Sequence, residues 1–278
     1  MILPTTERYN YHSHTEFCDG RAPMSGMAAA ACSEGMEIWG FSPHSPIPVE
    51  SGCNMQFEAV PIYLEEASRI KGEYEGRMKI LTSMEIDYLS TEWGPHVDYF
   101  QKLPLDYRIG SVHFVMNQDG IPIDCDGRFE RFNQRLKDSF RGDLRYIVEK
   151  FYEQELIMIE RGGFDVLGHF DKISANASMV DPEIENTGWY QALVDDVIRH
   201  ARDAGIIFEI NTKAFNDKGR FFPNRSLWKE LPDKSKGETL EGIIHKKILI
   251  NSDAHYPEKV NCGRDEAIKL FHEEIINQ

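Results

Sequence analysis

Short runs of apolar and β-branched residues recur along the chain, each separated from the next by a polar turn and a stretch with helical spacing. The runs fall at Tyr9–His12, Ile38–Ser42, Met78–Ile86, Tyr107–Val115, Phe164–His169, Ile206–Ile210 and Lys247–Asn251. They are nearly continuous in hydrophobicity rather than alternating, which is how strands buried on both faces of a parallel sheet read. Between them the spacing predicts helices over Met24–Gly35, Phe57–Tyr74, Asp143–Arg161 and Gly188–Ala204. The third of these places Leu144, Ile147, Val148, Phe151, Leu156 and Ile159 around one side before Gly162-Gly163 stops it. Gly35 and Gly205 sit where C-terminal caps belong. Alternating strands and helices with few hairpin signals predict a parallel α/β fold. A single barrel domain over residues 1–278 accounts for the whole chain more easily than an open sheet.

Two segments break the rhythm, Asn117–Arg141 and Lys213–Lys236. Both follow strands on the side where barrel active sites are built, so they are expected to be long loops, either substrate lids or plain surface insertions.

Composition narrows the function classes. The chain has 278 residues, a hydrophobic content of 41% and a charged content of 28%, as in a folded soluble protein. Its formal net charge of -15, with no basic run, argues against a nucleic-acid partner. Five cysteines (Cys18, Cys32, Cys53, Cys125 and Cys262) form no C-x-x-C pair, so neither a disulfide framework nor a thiolate zinc site is expected. The opening residues carry no long apolar segment, and no stretch reaches the roughly 18 apolar residues a membrane span needs. A cytoplasmic location without membrane contact is the simplest expectation. Nothing in the sequence fixes an oligomeric state.

The chemistry lies in the histidines. His12 and His14 end the first run, His44 follows the second, His113 lies in the fourth, His169 ends the fifth and His255 follows the seventh. A lone histidine is more often a core residue than a ligand. Six at equivalent ends of parallel strands are different, because in a barrel those ends converge. In His12-Ser-His14 the two side chains point the same way, since an extended chain has a side-chain period of two. Asp253-Ala-His255 repeats that spacing with a carboxylate. Glu85 is expected to end the third strand, where a buried carboxylate demands a cation. Asp19, in Phe17-Cys-Asp19-Gly20, reads equally as a turn residue or a ligand.

The order H-x-H, Asp, His, Glu, His, His, D-x-H resembles the polymerase and histidinol phosphatase (PHP) family of phosphoesterases over nearly the whole chain. Within the family, Phe17-Cys-Asp-Gly, Gly110-Ser-Val-His-Phe, Phe164-Asp-Val-Leu-Gly-His, Glu209-Ile-Asn-Thr and Asn251-Ser-Asp-Ala-His look most like the monofunctional histidinol-phosphate phosphatases. The resemblance implies a distorted (β/α)7 barrel with a site for three divalent ions (zinc, manganese or iron) at the C-terminal ends of the strands. It implies one ion on His12, His14, Glu85 and Asp253, a second sharing Glu85 with His113 and His169, and a third on Asp19, His44 and His255. The segment Ser42-Pro-His44 departs from the family's frequent Thr-Asp-His, so the acidic group that would orient His44 is absent.

The implied activity is hydrolysis of L-histidinol phosphate, in histidine biosynthesis, by a metal-bridging hydroxide, with Glu85, Asp253 and Asp19 as catalytic carboxylates. Three ionised carboxylates, about three divalent ions and a hydroxide leave about two positive charges, which a phosphomonoester dianion neutralises. Lys172 and Lys213 are the expected phosphate contacts, ahead of Arg220 and Arg21. Asp124, Asp126 and Glu209 are candidates for the substrate's amine. The competing readings are a phosphoesterase for another small phosphate or a nucleotide, and a metal-binding module without catalysis.

Overall fold

The structure is a computed structural model and describes residues 6–232 and 247–276. The last four residues of the segment Lys213–Lys236 lie outside the described residues, as does His245. The strands are β1 (Tyr9–Asn10), β2 (Ile38–Phe41), β3 (Lys79–Thr82), β4 (Glu85–Asp87), β5 (Ile109–Ser111), β6 (Phe114–Met116), β7 (Pro122–Asp124), β8 (Val166–Leu167), β9 (Ile207–Asn211) and β10 (Ile248–Asn251). One parallel sheet runs β1-β2-β3 and a second runs β10-β9-β8-β5-β4.

Two seams join these sheets into a distorted α/β barrel. At the first, β3 continues into β4 across Ser83-Met84. At the second, side chains take the place of ladder bonds. Tyr11 N donates to Asn251 Oδ1 at 2.9 Å and Ser252 N donates to Asn10 Oδ1 at 2.7 Å. Beyond them Ser13 and Ala254 form a parallel bridge. The barrel interior is one apolar cluster of Tyr9, Tyr11, Ile38, Leu81, Tyr107, Ile109, Val166, Ile207 and Leu249, contributed from all around the ring. Tyr107 crosses it to donate to the carbonyl of Tyr11. Gly40 makes room, since a Cβ there would sit 2.0 Å from the Tyr107 hydroxyl.

The helices expected from the spacing are present as Met24–Ser33, Val60–Glu73, Leu144–Arg161 and Gly188–Ala204. Each lays an apolar face on the outside of the barrel. Leu144–Arg161 buries Ile147, Val148, Phe151, Met158 and Ile159 at helical spacing, and Asp143 caps it by accepting from Tyr146 N. Among the described residues no helix is long and apolar enough to cross a membrane.

Three readings need correction. The run Met78–Ile86 is not one strand. Its first half pairs with β2 and its second with β5, so Glu85 begins β4 rather than ending the third strand. The Tyr63 hydroxyl, 2.6 Å from the carbonyl of Ser83, satisfies the backbone at the break. The run Tyr107–Val115 also divides, because Phe114–Met116 turns out of the barrel into an antiparallel hairpin with β7. Finally, Asn117–Arg141 is not a bare loop. It holds β7 and a helix, Phe129–Ser139, that buries Phe132 and Leu136.

Candidate metal centre

Each barrel position delivers its site residues where the chain leaves the sheet at its C-terminal end. β1 leads to His12 and His14, both fully buried, with ring centroids 5.2 Å apart. β2 leads to His44, β5 to His113, β8 to His169, and β10 to Asp253 and His255. Glu85 enters at the β3–β4 seam. Asp19 arrives on the loop after His14 and is the most exposed of the nine, with 24% of its side chain accessible. His169 and Asp253 hold positive φ angles of 21° and 49°. Non-glycine residues sustain such backbone strain only where the surroundings over-determine it, as at functional sites.

Glu85 is the hub. Its Oε2 lies 3.0 Å from His44 Nδ1, 3.3 Å from His12 Nε2 and 3.5 Å from His14 Nε2. Its Oε1 lies 2.8 Å from His169 Nε2 and 3.4 Å from His113 Nε2, and accepts from the Ser111 hydroxyl at 2.8 Å. Asp253 Oδ1 is 3.0 Å from His14 Nε2 and 3.3 Å from His255 Nδ1. At the rim, Asp19 Oδ1 is 3.2 Å from His255 Nε2 and 3.8 Å from His44 Nε2.

The donor set fits divalent cations. Ligand-type atoms lie within 4.8 Å of one another in four sets: His14, Asp19, His44 and His255; His12, His169 and Asp253; His12, His14 and Glu85; His44, Glu85 and His113. That is close to the span of donors around one ion with bonds of about 2.0–2.2 Å. Buried atoms without a hydrogen-bond partner among the described residues cluster in the same place: Nε2 of His12, His14, His113 and His169, Nδ1 of His44, Oε2 of Glu85 and Oδ1 of Asp19. Buried polar atoms are rarely left unpaired, so a shared group of this kind points to a missing partner. The sets also place His44 beside Glu85 and His113, and His14 beside Asp19, which spacing alone did not indicate.

Behind the donors, further groups set their tautomers. His12 Nδ1 donates to Glu209 Oε1 and His113 Nδ1 to Asp87 Oδ1, each at 2.7 Å, and His255 Nδ1 donates to the carbonyl of Asp253 at 3.0 Å. Each bond turns the Nε2 lone pair toward the site, where that of His255 is met by Lys213 Nζ at 3.1 Å. Glu209 also accepts from Asn251, Asn211 and the His169 amide, so this fully buried carboxylate is committed inside the barrel and does not meet a substrate amine. Asp87 was missed by sequence reasoning. The signal was present in Glu85-Ile-Asp87, because the same period of two that pairs His12 with His14 puts both carboxylates on one face. Among the described residues no carboxylate stands behind His44. Its backbone does the orienting instead, through Ser45 N to Glu85 O (2.8 Å) and Met55 N to His44 O (3.1 Å).

The electrostatics agree with this packing. Burial opposes charge on His12, but Glu209, Glu85 and Asp253 outweigh it and raise its pKa well above normal. His113 is likewise pushed up to about 9, because Asp87 and Glu85 overcome burial. Burial and then Lys172 depress His169 to about 4. Burial also opposes ionisation of Glu85, yet the surrounding imidazoles hold its carboxyl well below the usual range. The carboxylates are thus offset by the imidazoles around them, a balance that bound cations would also supply.

Lys213 Nζ stands 3.1 Å from His255 Nε2 and 3.5 Å from Asp253 Oδ1, at the mouth. Lys172 Nζ pairs with Asp126 at 2.7 Å. Asp124 pairs with Arg135 at 2.8 Å. Arg220 is taken up by Glu185 and Ser174, and Arg21 is exposed. A cavity of about 170 Å³ opens over the donors, lined among others by Asp19, His44, His113, Asp124, Asp126 and Lys213.

Comparison with known proteins places this geometry. A "Probable histidinol-phosphatase" of Schizosaccharomyces pombe is 27% identical over 270 residues, covering 91% of this chain and 82% of that protein. Another of the same name from Deinococcus radiodurans is 25% identical, covering 93% and 90%. The fold matches the crystal structure of a histidinol phosphate phosphatase from Lactococcus lactis, complexed with zinc, L-histidinol and phosphate, with a TM-score of 0.71 at 20% identity. That match covers 96% of this chain and 93% of the other. The PHP domain family model matches residues 10–213, which carry seven of the nine converging side chains, and the chain therefore belongs to the PHP domain family.

Proposed function

We propose that the chain is a single-domain, metal-dependent phosphomonoesterase that hydrolyses L-histidinol phosphate to L-histidinol and phosphate. The observation that carries this reading is the convergence of His12, His14, Asp19, His44, Glu85, His113, His169, Asp253 and His255, the first seven of which each hold a buried donor atom with no hydrogen-bond partner among the described residues. Relatives named histidinol-phosphatase over about nine-tenths of the chain support the substrate. Bound to these residues, about three divalent ions of zinc, manganese or iron would acidify water to supply the nucleophile and offset charge on the phosphoryl oxygens.

The chain's own groups orient and discriminate. Glu209 and Asp87 hold His12 and His113 in the donor tautomer. Asp253 and Asp19 are the carboxylates available to carry a proton to the leaving alkoxide. Lys213 and Lys172 are placed to meet phosphate. Lys172 is already paired with Asp126, and a substrate bearing both phosphate and ammonium separates that pair without leaving either charge alone. A phosphomonoester lacking the amine strands Asp126, which is how strong discrimination arises. The test is kcat/KM for histidinol phosphate against phosphoserine, glycerol phosphate and a nucleoside monophosphate. Histidinol phosphate should be clearly the best, and Asp126→Asn should narrow its lead over glycerol phosphate. A flat profile across the panel removes the named substrate.

A further inference from the structure

We infer that the Cys18 thiol is the positioning group for His14, in the place that carboxylates or a carbonyl hold behind His12, His113 and His255. The inference rests on the metal centre proposed above. His14 Nδ1 faces Cys18 Sγ at 3.4 Å. Asp19 Oδ1, the nearest carboxylate oxygen to that nitrogen, is 3.6 Å away, beyond an ordinary hydrogen bond. The thiol in turn reaches the carbonyl of Thr15 at 3.5 Å. With S–H donating to that carbonyl, the sulfur lone pairs are left to accept from His14 Nδ1–H. The far nitrogen, Nε2, is then unprotonated, and it is fully buried, without a hydrogen-bond partner among the described residues, and aimed between Asp253 and Glu85.

The loop is built to deliver the sulfur there. Cys18 N donates to Thr15 O at 3.0 Å, folding the chain back beneath the imidazole. Gly20 permits the return, since a Cβ at that position would stand 2.3 Å from Thr15 N. Glu16 N to Ala22 O (3.1 Å) and Arg21 N to His255 O (2.8 Å) close the loop and tie it to the opposite side of the site. One seven-residue stretch, from His14 to Gly20, thus supplies a donor imidazole, the thiol that orients it and the rim carboxylate of Asp19. Sulfur is a weaker acceptor than a carboxylate, so it fixes the tautomer of His14 while adding less to its basicity than Glu209 adds to His12.

The experiment compares Cys18→Ala, which removes the acceptor, with Cys18→Ser, which keeps one of similar size. Zinc affinity is measured on the metal-stripped full chain by competition with a chromophoric chelator, and the visible spectrum is recorded after loading with cobalt. Thermal unfolding of the stripped variants reports whether the fold is intact. Cys18→Ala should lose about tenfold or more in zinc affinity, the usual effect of removing a group that orients a ligand, with an altered cobalt spectrum. Cys18→Ser should stay within about threefold of the parent. Unchanged affinity in Cys18→Ala overturns the role, and so does an equal loss in both variants, which would mark packing rather than hydrogen bonding. A parent chain that takes up no zinc sinks the metal centre itself, and this role with it.

Discussion

Glu85 approaches five imidazoles, and this makes it the most consequential single side chain in the site. Replacement by glutamine keeps the shape but removes the charge that the surrounding donors share. Asp19 touches the cluster only from its partly exposed rim. Glu85→Gln should therefore lower kcat/KM by about 100-fold or more and Asp19→Asn by about tenfold, with both variants folded. Equal losses would refute the central placement of Glu85. A second carboxylate is instructive for the opposite reason. Glu155 is fully buried on the helix Leu144–Arg161, and neither of its oxygens has a hydrogen-bond partner among the described residues. Burial, and then the neighbouring Asp171, hold its carboxyl well above the usual range. In the unfolded chain it ionises near pH 4.3, whereas in the folded chain it keeps its proton. Its contribution is thus complete below about pH 4.3 and is lost as pH rises toward the folded value. Glu155→Gln removes that titration. The gain in Tm over the parent should be small at pH 4.5 and should grow toward pH 7.5; a gain that does not change with pH would show that Glu155 is ionised in the fold.

At the scale of elements, the hairpin β6–β7 decides the shape of the mouth. Among the described residues it has no third strand, and Gln154 from the neighbouring helix serves as one. The amide Nε2 donates to Phe114 O at 2.9 Å and Oε1 accepts from Met116 N at 3.0 Å. The hairpin then reaches back, with Cys125 N donating to His113 O at 2.9 Å. Gln154→Leu leaves two backbone groups unpaired and should cost about 1–3 kcal/mol, with faster amide exchange at Met116. Protection of that amide equal to the parent's would mean that the glutamine is dispensable. The hairpin was hard to read in sequence because its strands are three residues long, too short for a periodic pattern. Its turn is built from the residue types that tight turns favour. Asn117 Oδ1 accepts from Asp119 N and Ile121 N, and Gly120 takes a φ of 74°, the roles asparagine and glycine have in tight turns. The helix Phe129–Ser139 was obscured by its polar surface, with only Phe132 and Leu136 buried.

For the molecule as a whole, the barrel mouth gathers carboxylates and imidazoles that repel their own kind unless something holds them together. Elemental analysis of chain prepared without chelator should find about three metal ions, bound without cysteine. Stripping them should abolish activity and lower Tm, since a ligand at 1,000 times its Kd contributes about 4 kcal/mol. Adding zinc or manganese should restore both. Absence of metal, with no gain on adding either ion, would leave the cluster without the partner its geometry calls for.

The alternation of buried parallel strands with four long helices, and the six histidines near the strand ends, could be read from residue patterns, whereas the break at Ser83-Met84, the hairpin β6–β7 and the helix Phe129–Ser139 could not. The former were legible because burial and side-chain period are local properties, and in a barrel the end of one strand implies nearness to the ends of the others. Contacts across the ring were another matter. Glu209 turns inward because His12, 197 residues away, offers it an N–H. The strand at Met78–Ile86 divides because its two halves meet different neighbours, β2 and β5. Cys18 folds beneath His14, and His169 and Asp253 adopt left-handed backbone, only because of what stands opposite them. Tertiary structure decided these features, since the free energy of a buried polar group depends on the partner it meets rather than on the residues beside it in the chain.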